Sequence, residues 1–189
     1  ALAYDEESRK NPMTAKAHLE ANDLLIALDA KTGKTLWQAS EPGGFIWGVG
    51  KRNGFQVAPA YHGGVIYSMG TTGRVFAYAA NDGKKLWQTE PEAKMIEERN
   101  KHLAKSHVLQ ASARYAWQQS LVFAGDPLVV PRKTTLLGLN PANGKKKWEL
   151  PKVISHWNTP TVWRHEKKEY LLCATGGKPG QAQLNLVDP

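Results

Sequence analysis

The chain writes one stretch three times. Leu25 to Gln38 reads LIALDAKTGKTLWQ, Val75 to Gln88 reads VFAYAANDGKKLWQ and Leu136 to Glu149 reads LLGLNPANGKKKWE, while a fourth copy begins at LNLVDP, Leu184 to Pro189. The motif tryptophans Trp37, Trp87 and Trp148 stand 50 and 61 residues apart. Self-similarity at such a period restricts the chain to an array of like supersecondary units, each of which needs a neighbour to bury its apolar face.

Within one copy, Leu25 to Asp29 and Thr35 to Gln38 are strand-like runs, and the residues between them carry turn chemistry. The pattern predicts a type I turn closed by a glycine at positive φ, with Gly33, Gly83 and Gly144 holding that place. Asp29 and Asn140 can fold a side-chain oxygen onto the N–H two residues on, and Pro141 and Pro189 pre-set φ. Ala79 has no such oxygen, so the second copy relies on Asn81, Asp82 and Gly83. Each tryptophan closes its hairpin at one register, where a large ring can cover the seam with the next unit and donate its indole N–H.

A second pair of strand-like runs precedes each later hairpin. These are Val57 to Tyr61 and Val65 to Met69 around His-Gly-Gly, and Gln118 to Phe123 and Leu128 to Val130 around Ala-Gly-Asp-Pro. Before the truncated copy come Thr159 to Trp163 and Tyr170 to Ala174, around a charged turn from Arg164 to Glu169. Four strands per unit at this spacing make a propeller blade. The reading is all-β: a partial β-propeller of four-stranded antiparallel blades, about three and a half of them, with one short inserted surface helix. It divides as an incomplete first blade over 1–38, a second over 39–88, a third with the helical insertion over 89–149 and a truncated fourth over 150–189, all in one partial propeller domain.

The x-Leu-Asp-x-x-Thr-Gly-Lys-x-x-Trp pattern resembles the repeat of the pyrroloquinoline-quinone (PQQ) type β-propellers, over about residues 24 to 189. That family includes quinoprotein alcohol dehydrogenases and the cofactor-free propeller lipoprotein of the outer-membrane barrel-assembly machinery. The resemblance implies a periplasmic or otherwise extracytoplasmic place. A closed propeller of the family takes about seven or eight blades, so the expected partners are the remaining blades of a longer chain or other protein subunits covering the edge strands.

Net charge is +8, and the excess sits mainly in hairpin turns, at Lys31, Lys34, Lys84, Lys85 and Lys145 to Lys147. Charged tips stay solvated and discourage edge pairing, so no nucleic-acid partner is expected. Cys173 is the only cysteine and lies inside LLCAT, which rules out a disulfide framework, zinc cluster or haem-attachment site built from this chain alone and predicts a buried, inert thiol. No apolar run reaches the length of a membrane helix.

Residues 1 to 23 fall outside the repeat, with a short helix expected over Ala15 to Ala21. Glu41 to Phe55, EPGGFIWGVGKRNGF, reads as a glycine-marked loop whose Phe45, Ile46 and Trp47 are a plug between blades or else an exposed binding loop, the plug being favoured. The longer second spacing arises from Pro91 to Lys105, read as a surface helix with Thr89 and Glu92 at capping-box spacing.

Chemistry in such a fold belongs at the mouth of the central channel. Aligning the units on Pro59, Leu121 and Pro160 brings Phe55, Trp117 and His156 to one position and Gln56, Gln118 and Trp157 to the next. Aromatic and amide side chains converging there can sandwich a flat ligand or fill the inner taper of each blade. The resemblance makes that ligand PQQ with Ca²⁺; the residues themselves make no cofactor evident. Adjacent cysteines are absent, and no aspartate matches the catalytic motif: Asp29 and Asp188 belong to hairpin turns, and Asp126 to Ala-Gly-Asp-Pro. His165 to Glu169 begins like a zinc-protease helix but ends in Glu, and Thr175 to Pro179 lacks the outer residues of a P-loop. No catalytic or metal-ligating residue is assigned. Two functions stand: a non-catalytic binding or assembly scaffold, and alternatively part of a PQQ-dependent dehydrogenase oxidising alcohols or sugars.

Overall fold

Within each sheet of the described residues, strands that are consecutive in the chain pair through antiparallel ladders. The computed structural model describes residues 21–44, 57–94, 96–97, 119–155, 158–176 and 182–189. Its strands are β1 (Ala21–Leu28), β2 (Thr35–Gly44), β3 (Ala60–His62), β4 (Val65–Met69), β5 (Val75–Ala79), β6 (Lys85–Gln88), β7 (Val122–Phe123), β8 (Leu128–Arg132), β9 (Thr135–Leu139), β10 (Lys146–Leu150), β11 (Thr161–His165), β12 (Lys168–Thr175) and β13 (Gln183–Val187). They form a hairpin β1–β2, two four-stranded meanders β3–β6 and β7–β10, and a three-stranded meander β11–β13. The expected all-β architecture of antiparallel sheets is what the chain adopts, with two of the four sheets four-stranded among the described residues.

The three repeats build one hairpin. In each, the glycine N–H donates to a carbonyl four residues back: Gly33 to Asp29, Gly83 to Ala79 and Gly144 to Asn140, at 2.8 to 2.9 Å. The residue that accepts also donates its own N–H across the turn, to Lys34, Lys84 and Lys145 respectively. All three glycines sit near φ +70°, the left-handed region where a Cβ is costly. The Asp29 carboxylate accepts from the N–H of Lys31 and Thr32 and from the Thr32 hydroxyl. Those Thr32 bonds, side chain first, hold its pKa below the ordinary carboxylate value. Asn140 Oδ1 accepts from the Ala142 N–H, and the second copy, lacking this oxygen, uses Asp82 Oδ1 to accept from the Lys84 N–H, as expected from its sequence.

Beside each motif tryptophan lies a small residue. Trp37 is paired with Ala27, Trp87 with Ala77 and Trp148 with Gly138. At Gly138 a Cβ would stand 2.1 Å from Trp148 Cε2, so the ring lies flat across the neighbouring strand.

Contacts divide the chain into two units, one spanning 1–55, 70–74 and 90–116, the other 56–69, 75–89 and 117–189. In the first, the Asp23 carboxylate on β1 accepts from the N–H and hydroxyl of Thr71 at 3.0 Å. Burial raises its pKa despite these bonds and the nearby Arg74 charge. The core of the second unit lies where β7–β10 meets β11–β13. Val129 and Leu136 pack with Leu171, Cys173 and Val187, and Ile154 from the connecting segment joins them.

Several local expectations are revised. Glu41 to Gly44 continue β2 instead of opening a loop: Glu41 pairs with Asp23 and Gly44 with Ala21; Phe45 to Phe55 lie outside the described residues. The turn before β12 is two residues, not six, because Arg164 pairs with Glu169 and His165 with Lys168 inside the ladder. Glu166 and Lys167 take φ +46° and +67°, the two positive values of a tight hairpin turn. Thr89 does not act as a helix cap for Glu92; its hydroxyl accepts from the Val75 N–H, while Glu92 N–H donates to Thr72 O. The inserted helix is described only in its first turn, where Ile96 N–H donates to Glu92 O. The helix expected over Ala15 to Ala21 falls on 1–20, outside the described residues, and Ala21 opens β1.

Candidate functional site

The six channel-mouth candidates, Phe55, Gln56, Trp117, Gln118, His156 and Trp157, lie outside the described residues. The residues that follow each pair are described, and they form a repeated hydrogen-bonded link. Ala58 N–H donates to Ser120 Oγ at 3.2 Å, and Ser120 N–H donates to Thr159 Oγ1 at 2.9 Å. In the alignment on Pro59, Leu121 and Pro160, these three are one position in three successive sheets. Each sheet therefore hands a backbone N–H to a hydroxyl of the next, satisfying a donor that strand pairing leaves over.

Gln119 reinforces this link. Its side chain is buried at 1% exposure, and Nε2 lies 2.9 Å from Lys133 O, 2.8 Å from Ser155 O and 3.0 Å from Asn158 O. Ser155 and Asn158 stand on either side of His156 and Trp157 in the sequence, and one amide bonds both of them. Ser155 N–H and Asn158 Nδ2 donate in turn to Ala174 O on β12. Sequence reasoning picked out Gln118 and passed over Gln119; an amide beside the apolar run Leu121 to Phe123 was the available signal.

At the tips of the same strands, β7 and β11–β12 are tied by a carboxylate. Glu169 Oε2 accepts from the Gly125 N–H at 2.6 Å and Oε1 accepts from Arg164 Nε at 2.5 Å. The Gly125 bond, then Arg164, hold this carboxyl below the usual range. His62 at the end of β3 stacks on Phe123 at 4.5 Å. On β10, Lys146 bonds Glu149 and Lys147 reaches Asp126. Among the described residues, no group of three His, Cys, Asp or Glu gathers where a metal would bind, and no helix is long and apolar enough to cross a membrane.

The seam between β3–β6 and β7–β10 is made by the second motif tryptophan. Trp87 Nε1 donates to Pro141 O at 2.8 Å. Its ring covers Gly144, where a Cβ would stand 2.7 Å from Cε3 and Cζ3. Tyr67, in tilted contact with Trp87, meets Phe123 edge to face. Trp148 packs against the core shared by β7–β10 and β11–β13. Cys173 is fully buried within that core, and burial pushes its thiol up to about 11, as expected of an inert thiol.

Comparison with known proteins agrees with this geometry. A family model described as outer membrane protein assembly factor BamB matches residues 20–160. The quinoprotein alcohol dehydrogenase PedH of Pseudomonas putida is 39% identical over 66 residues, which cover 35% of this chain and 10% of that protein. The crystal structure of BamB from Moraxella catarrhalis superposes with a TM-score of 0.53 at 15% identity, over 90% of this chain and 42% of that one. The computationally designed Ika8 protein gives a TM-score of 0.51 at 12% identity, over 89% and 42%. The chain thus spans less than half the length of each of these relatives, and the structural likenesses speak for the fold. The threefold hairpin, its four antiparallel sheets and the match over residues 20–160 place the chain in the PQQ-like β-propeller repeat family described as outer membrane protein assembly factor BamB.

Proposed function

We propose that this partial propeller is a non-catalytic scaffold that holds a binding or assembly surface in an extracytoplasmic compartment. One observation carries the reading: the polar groups of the repeat motif are spent on the fold. Asp29, Asp82 and Asn140 close turns, and Trp87 bonds the next hairpin. Each residue that recurs is thereby engaged in holding one sheet to itself or to its neighbour, which is the division of labour of a rigid platform. On this reading the sheets are successive blades over 39–88, 89–149 and 150–189 after an incomplete one over 1–38. Trp37 and Trp148 serve as tryptophan docking residues in the manner of Trp87, and further blades or other subunits cover what these leave open.

A second reading is favoured by the 39% identity to PedH over 66 residues: that the chain is part of a quinoprotein dehydrogenase, with Phe55, Gln56, Trp117, Gln118, His156 and Trp157 around PQQ and Ca²⁺. The test separates the two. PQQ and Ca²⁺ are added to the whole protein, and quinone absorbance and alcohol-dependent dye reduction are measured. The scaffold reading expects neither signal; both together, lost on Trp117→Ala, would replace it with the dehydrogenase.

A further inference from the structure

The first hairpin holds two carboxylates out of water on one face. Asp23 and Glu41 are direct partners in the β1–β2 ladder, and residues so paired leave a sheet on the same side. Glu41 is 6% exposed and Asp23 is half-buried. Like charges directly opposite each other work against strand pairing, and taking them out of water adds to that cost. The next residues along each strand, Asn22 and Ser40, avoid it by meeting through a neutral hydrogen bond at 3.0 Å.

Asp23 is also where this hairpin meets the turn between β4 and β5. Gly70 N–H donates to Arg74 O and Gly73 N–H to Gly70 O, at 2.8 and 2.9 Å, so the turn closes on its own backbone. Thr71 at its tip gives Asp23 both of its donors, the N–H to Oδ2 and the hydroxyl to Oδ1, each at 3.0 Å. Thr72, 5% exposed, accepts from Glu92 N–H at 3.1 Å. Among the described residues the charges that act on Asp23 are Glu41 on β2 and Arg74 on the turn, while Glu92 reaches the turn through its main chain. Burial above all, and Glu41 with it, favours the acid form of Asp23; the Thr71 bonds and Arg74 favour the carboxylate. Burial prevails, and the pKa is raised.

We propose that Asp23 is an acid-tightened latch: on taking up a proton its side chain fastens the β1–β2 hairpin to the 70–74 turn, and on giving it up it loosens that joint. This goes beyond the scaffold reading and holds whether or not a quinone binds. In the acid form one oxygen still accepts from Thr71, while the opposition to Glu41 and the cost of a buried charge both end. With the joint open, Asp23 meets water and titrates as an ordinary carboxylate; with the joint closed, it titrates higher. The joint is therefore tightest below the ordinary carboxylate pKa and loses stability as pH rises through the higher one.

The test is hydrogen exchange of the intact chain, read peptide by peptide by mass spectrometry and corrected for the pH dependence of the chemical exchange step. Peptides from β8–β9 serve as the reference for general stability. Relative to them, protection over 70–74 should rise as the pH is lowered from about 8 to about 4, by at most about tenfold per pH unit, the limit for a single proton. Asp23→Asn keeps an oxygen for Thr71 and has no proton to exchange, so its protection over 70–74 should follow the reference at every pH. Glu41→Gln should leave a shallower slope, because burial still favours the acid form of Asp23. Should Asp23→Asn fail to fold, that change of slope in Glu41→Gln carries the test alone. Wild-type protection over 70–74 that merely follows the reference overturns the proposal. So does protection that falls in acid, and so does a pH dependence that survives both substitutions unchanged.

Discussion

Replacing Gln119 by leucine removes a buried donor from a place where three carbonyls converge. Its Nε2 stands 2.8 to 3.0 Å from the oxygens of Lys133, Ser155 and Asn158, and an amide nitrogen has two hydrogens, so two full bonds or three shared ones are lost. A net bond contributes about 1 kcal/mol, and a buried acceptor stripped of its donor costs about 1–3 kcal/mol, so Gln119→Leu should destabilise by about 2–4 kcal/mol. At a urea slope of about 2 kcal/mol per molar, the midpoint falls by about 1–2 M with the slope unchanged. Gln119→Glu sharpens the test, because it keeps the shape and places a carboxylate against the same carbonyls. Its folded-state pKa is raised, so the penalty is full above that value and fades as pH falls and the acid form regains an O–H donor. If Gln119→Leu moved the midpoint by less than about 0.3 M, the size of an ordinary surface change, or if Gln119→Glu showed no recovery in acid, the clamp would be refuted.

Three further outcomes follow from the same structure. Gly144→Ala should cost about 1–3 kcal/mol more than Gly33→Ala: both sit at φ +70°, but only at 144 would the Cβ strike Trp87. Equal midpoints in urea would remove the ring from that seam. Glu169 has a depressed folded pKa, so its stabilisation is present above the ordinary carboxylate pKa and lost as pH falls through the folded value. Wild type and Glu169→Gln should therefore differ near neutrality and converge in acid when urea midpoints are followed against pH. Cys173, with its thiol pushed up to about 11, should react with a disulfide reagent at neutral pH only as fast as the chain opens. Labelling of the native protein at the rate seen in denaturant would contradict its burial.

The hairpins were legible because their residues do local work. A glycine at φ +70° and an aspartate or asparagine folding onto its own turn act within a few residues, so pattern and geometry coincide at Gly33, Gly83 and Gly144. Where a side chain works across the fold, the sequence was silent. Thr89 stood at capping-box spacing, yet its hydroxyl serves Val75 across the sheet; the tertiary partner won over the local one. Arg164 to Glu169 read as a turn because charges cluster there, although opposite charges facing each other across a ladder are equally at home in a strand. Gln119 looked like one more amide, since nothing in a linear pattern announces that Lys133, Ser155 and Asn158 will present carbonyls to it. The six mouth residues came from alignment alone and fall outside the described residues.

What the framework fixes and what it leaves free can be separated at the link formed by Ala58, Ser120 and Thr159. The donor in each step is a backbone N–H, which every residue at that position other than proline can supply, whereas the acceptor must be a hydroxyl and is Ser120 in one sheet and Thr159 in the next. The constraint therefore falls on one side chain per sheet, two residues after the pair expected at the channel mouth. Those paired positions hold Phe and Gln, Trp and Gln, then His and Trp in the sequence, and the link described above is made by other residues. A repeat built this way can change its mouth from aromatic to amide to imidazole without disturbing how its sheets are joined. One architecture can thus serve a scaffold or an enzyme, and we propose that the chemistry at positions 55–56, 117–118 and 156–157, rather than the fold, decides between them.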